Sequence, residues 1–102
     1  MFIIELTYTV PVAQIDAHMA PHIAFLEKYY HSGHFIASGR KEPRDGGLIF
    51  AKADSKQAVA EIIEHDPFKQ HQLATYRIIE FKATKKNYGY DAFVGEEEDV
   101  LL

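Results

Sequence analysis

Along the first ten residues, apolar and polar side chains alternate. Phe2, Ile4, Leu6, Tyr8 and Val10 share one face, and Ile3, Glu5, Thr7 and Thr9 share the other. That pattern predicts a strand with one fully apolar face. After Pro11 the period lengthens, and a helix is expected over about 13–31, closed by Ser32-Gly33. Its inward stripe reads Ile15, Met19, His22, Leu26 and Tyr29, widened by Ile23 and Tyr30. Pro21 should kink this helix or restart it immediately before His22, leaving backbone N–H groups free near that residue. Residues 34–40 predict a second strand, 41–46 a charged hairpin loop, and 47–53 a third strand. Asp54 with Gln57 three residues on has a capping-box pattern for a second helix over about 55–64. Val59, Ile62 and Ile63 form its buried edge, and it must stop near Asp66, because a residue before proline is pushed out of helical geometry. Residues 73–83 predict the last strand, with Tyr76, Ile78, Ile79 and Phe81.

The order strand, helix, strand, strand, helix, strand is that of an α+β, ferredoxin-like fold. It predicts a four-stranded antiparallel sheet with two helices on one face. Ile3, Ile36, Ile49 and Ile79 then fall opposite helix-facing positions, and an apolar second face needs a cover. A homodimer joined sheet to sheet supplies one. Residues 1–83 are expected to form the domain. Residues 84–102 form a C-terminal extension: Tyr88, Tyr90 and Phe93 are an aromatic arm lying on the body or on a partner subunit, and the stretch from Gly95 is a loose acidic tail.

Composition narrows the function classes. A chain of 102 residues is one domain with one modest core. It has no cysteine, which excludes disulfide and thiolate chemistry and suits a cytoplasmic setting. No apolar run approaches the roughly 18 residues needed to cross a bilayer, so no membrane partner is expected. The net charge of −4 lies in Glu96, Glu97, Glu98 and Asp99; without them 11 basic residues face 15 − 4 = 11 acidic ones. A formally neutral body has no cationic stripe to displace phosphate counterions, so no nucleic-acid partner is expected.

The candidate chemistry centres on His22, an imidazole in the middle of an apolar stripe. Such a group loses water and needs a partner or a task. Asp66 is the candidate partner. One reading is a buried histidine satisfied by a carboxylate that only caps its own turn. The other is a working pair, in which the carboxylate fixes the imidazole tautomer and raises the basicity of the second nitrogen for general acid–base catalysis. Ser38 and Arg40 could hold an anionic group with a hydroxyl and a cation. His18 and His22 have the spacing of two metal ligands on one helix face, but no HExxH-type pair with its glutamate is present, and no metal is assigned. Gly46-Gly47 lacks the context of a phosphate cradle, and no cofactor is expected.

The chain resembles the YciI-like (YCII-related) family of the dimeric α+β barrel superfamily. The matching segments are His22-Ile23-Ala24-Phe25-Leu26, Gly33 through Ser38-Gly39-Arg40, Gly46-Gly47-Leu48-Ile49, and Asp66-Pro67-Phe68 with the strand after it. The resemblance implies a His22–Asp66 dyad in a cleft between sheet and helices; Ser38, Gly39, Arg40 and Phe68 are the residues expected to bind substrate beside it. Some relatives carry out lyase or dehydrohalogenase chemistry on small acidic aromatic-derived compounds. Where relatives carry basic residues before the histidine, this chain has His18, Met19, Ala20 and Pro21. The expectation is a small homodimeric enzyme doing lyase- or isomerase-like acid–base chemistry on a small anionic organic molecule. The alternative is a non-catalytic small-molecule-binding or assembly module on the same dimer.

Overall fold

The computed structural model describes residues 1–93. Strand β1 (Phe2–Tyr8) lies at the centre of the sheet, between β3 (Gly46–Ala51) and β4 (Ala74–Glu80), and β2 (Phe35–Arg40) flanks β3. Every neighbouring pair is antiparallel, in the order β2-β3-β1-β4. This is the ferredoxin-like α+β topology. The helices are α1 (Val12–Ala17), α2 (Met19–His31), α3 (Lys56–Ile63) and the single turn α4 (Pro67–Gln70). Phe2, Ile4 and Leu6 of the central strand are buried against Ile15, Phe25, Val59 and Phe68 from the helices. Burial of each such side chain contributes roughly 1.5–3 kcal/mol.

The long first helix is two helices, and the break lies at His18 rather than just before His22. Pro21 is the third residue of α2, inside the first turn, where its missing N–H would have had no intrahelical partner. The His22 N–H itself is not free: it donates to the His18 carbonyl at 3.3 Å. The buried stripe of α2 is His22, Phe25 and Tyr29. Ile23 and Tyr30, expected to widen it, are exposed, because α2 starts anew at Met19 and its face is turned toward Phe25. Gly33, with φ +89°, ends α2 in the left-handed region that favours glycine.

Two further expectations are corrected. The cap of α3 is Ser55, whose hydroxyl accepts from the Ala58 N–H at 3.1 Å, not Asp54. Ile49 faces the helices, because the register sets it opposite Ile4 of the core. The outer face is instead Ile3, Phe50 and Ile79 in one row and Glu5, Leu48 and Arg77 in the next. Lys41 adds charge at that end through Glu5 and Thr7, at 3.3 and 3.2 Å. In the arm, Tyr88 is 96% and Tyr90 56% exposed, so Tyr88 does not lie on the body. The acidic tail lies outside the described residues.

Candidate active site

α2 carries His22 inward because its apolar period places that position over the sheet. α4 carries Asp66 as its cap: Pro67 occupies the first helical position, and Asp66 Oδ1 accepts the Phe68 N–H at 3.0 Å. The two side chains meet although 44 positions separate them, with His22 Nδ1 donating to Asp66 Oδ1 at 2.8 Å. The His22 side chain is 10% exposed and that of Asp66 is fully buried. Asp66 therefore caps its turn and holds the imidazole with the same oxygen.

A third donor completes the carboxylate. The Tyr76 hydroxyl on β4 donates to Asp66 Oδ2 at 2.5 Å, a short, charge-assisted bond. Burial first, then the Asp66 charge, pushes the Tyr76 phenol far above the ordinary tyrosine range. Sequence reasoning missed this residue. The available signal was a hydroxyl at a core-facing strand position, since a partly buried tyrosine turned toward the core still needs a partner for its O–H.

The His22 ring is fixed from below. Phe68 stacks on it at 3.9 Å between centroids and 5° between planes, and Phe25 lies 6.1 Å away. With Nδ1 engaged, Nε2 has no hydrogen-bond partner among the described residues. The ring borders a cavity of about 170 Å³ between α2 and the β2–β3 end of the sheet. Met19, Leu26, Leu6 and Ile49 give it apolar walls, and Ser38, Gly39, Arg40 and Phe68 also line it. All the sequence-derived positions except the buried Asp66 thus border one space.

Their roles are unequal. The Ser38 hydroxyl is already bonded to Tyr30 at 2.5 Å. Arg40 is 65% exposed and lies 4.0 Å from Glu42, a loosely held cation at the rim. Gly46, also on the wall, has no room for a side chain: a Cβ there would lie 1.8 Å from the Leu6 carbonyl oxygen. His18 does not join His22. Its Nδ1 lies 3.1 Å from the Gln14 carbonyl, and its ring lies 4.6 Å from that of His71.

A ferredoxin-like α+β domain with a buried histidine–carboxylate pair at one wall of an apolar cavity is the class these observations define. The chain belongs to the YCII-related domain family, whose pattern it matches over residues 1–82. None of the curated proteins matches it. Among solved structures it is similar to the 5-chloro-2-hydroxyhydroquinone dehydrochlorinase (TftG) of Burkholderia phenoliruptrix AC1100, determined in complex with 2,5-dihydroxybenzoquinone. The TM-score is 0.64 at 21% identity, covering 80% of this chain and 94% of that one. At that identity the likeness is one of fold. No helix among the described residues is long and apolar enough to cross a membrane.

Proposed function

We propose that the protein is an acid–base enzyme in which His22 moves a proton to or from a small anionic organic substrate, oriented by Asp66. The observation that carries this reading is the 2.8 Å bond from Nδ1 to a fully buried carboxylate, with the second ring nitrogen unpartnered beside a cavity. A carboxylate that holds Nδ1–H leaves Nε2 as the proton acceptor, the arrangement general base catalysis uses. The cavity of about 170 Å³ suits one small molecule, since an engineered cavity of roughly 150 Å³ holds a benzene. Arg40 supplies the cation for an anionic group at the mouth, with Gly39 and Phe68 shaping the walls and the Ser38–Tyr30 pair supplying polar contact. The similar solved protein is a dehydrochlorinase, a lyase-like reaction that also requires proton movement.

The working unit in this reading is a homodimer, joined through the outer sheet face bearing Ile3, Leu48 and Ile79. The test of the dyad is the imidazole titration of His22, followed by NMR in the wild type and in Asp66→Asn. Loss of the carboxylate is expected to change the titration, because the imidazolium loses its charged partner. An unchanged titration removes the basis for catalysis by this pair. A screen of small organic acids by thermal shift then finds ligands, and turnover of a hit abolished by His22→Ala supports the enzyme over a binding module.

A further inference from the structure

We propose that Tyr76 is a positioning residue that sets how strongly Asp66 draws on the His22 proton; this rests on the dyad reading above. Position 76 lies opposite Leu6 on the helix-facing side of the sheet, where a phenylalanine would meet the need for burial equally well. The hydroxyl is the part that burial does not explain. It donates to Oδ2 at 2.5 Å, the carboxylate oxygen that neither His22 nor the Phe68 N–H uses. Tyr76 does not border the cavity, so it acts on a substrate only through Asp66.

The physical consequence follows from sharing one negative charge among three donors. Each donor takes part of the carboxylate's charge, and a neutral phenol competes for it with the imidazole. While Tyr76 holds Oδ2, the pull of Asp66 on Nδ1–H is moderated, and the imidazolium gains less from its partner. Removing the hydroxyl leaves Oδ2 buried with no donor among the described residues, and only His22 and the Phe68 N–H, both on Oδ1, then compensate the charge. The imidazolium is favoured, and its titration moves upward. The phenol stays protonated throughout the neutral range, so it is a fixed donor and not a proton carrier.

The experiment is the same NMR titration of His22, extended to Tyr76→Phe and to protein with 3-fluorotyrosine placed at position 76 alone. Far-UV circular dichroism checks that each variant is folded. Tyr76→Phe is expected to raise the His22 midpoint by about half a pH unit to one unit. Fluorotyrosine, a stronger donor, is expected to lower it. A role confined to packing would move neither in this ordered way. If Asp66→Asn shifts the titration but Tyr76→Phe leaves it unchanged or lowers it, the Tyr76 inference is overturned and the dyad stands. If Asp66→Asn has no effect, both fall. Should Tyr76→Phe not fold, the fluorinated protein decides: an unshifted or raised midpoint overturns the inference.

Discussion

Cutting Phe68 back to alanine would remove the flat surface on which the His22 ring rests. Phe68 is 1% exposed and stacks at 3.9 Å, so the loss combines a core cavity with a freed imidazole. Phe68→Ala should cost about 3–5 kcal/mol, measurable by urea unfolding. Tyr76 gives a prediction in pH. Its folded-state titration lies above its unfolded value, so the native state retains the phenol proton where the unfolded chain releases it. The stability this supplies is intact below about pH 10 and is lost as pH rises beyond that. Tyr76→Phe should therefore unfold less steeply above pH 10 than the wild type, followed by circular dichroism at fixed urea. Equal slopes would contradict the buried phenol. Residue-scale features were unevenly legible in the sequence. His22 stood out because imidazole breaks an apolar stripe, and Asp66 because proline follows it. Tyr76 did not, since an aromatic at a strand position already satisfies the pattern without its hydroxyl.

At the scale of elements, helix starts decide the site. Asp66→Asn keeps an acceptor for the Phe68 N–H, because asparagine caps nearly as well as aspartate. Asp66→Ala loses both the cap and the imidazole's partner. Asparagine should therefore be the milder of the two in thermal unfolding, and a reversed order would mean that the cap contributes little. Ser55→Ala, which touches only α3, should cost about 1 kcal/mol and leave the His22 titration in place. Element types and their order followed from periodicity, whereas starts and facing did not. Pro21 looked like a breaker because a single sequence does not mark the first turn, where proline is tolerated. Ile49 was assigned to the wrong face because strand parity depends on the hairpin's register, and a slip of one residue inverts every side chain. The pairing of Ile4 with Ile49 fixes it only in three dimensions.

For the whole molecule, the outer sheet face is where the proposed homodimer would join. Ile3 and Ile79 pair across β1 and β4, and Leu48 is 36% exposed beside Arg77 and Glu5. A partner packed there would cover the apolar row and meet the charged one. Light scattering at micromolar concentration should give twice the 11.6 kDa chain mass, and Ile79→Glu should return it to a single chain. A wild type that scatters as 11.6 kDa contradicts the assembly.

The carboxylate at the start of α4 also gives the molecule an internal reporter. His22 comes from the first βαβ half and Asp66 from the second, so neither half alone can make their bond. Partial unfolding of either should erase the distinctive resonance of that imidazole while much helix signal persists. Any substitution that loosens the seam between the halves would lengthen this one bond before it is visible in melting.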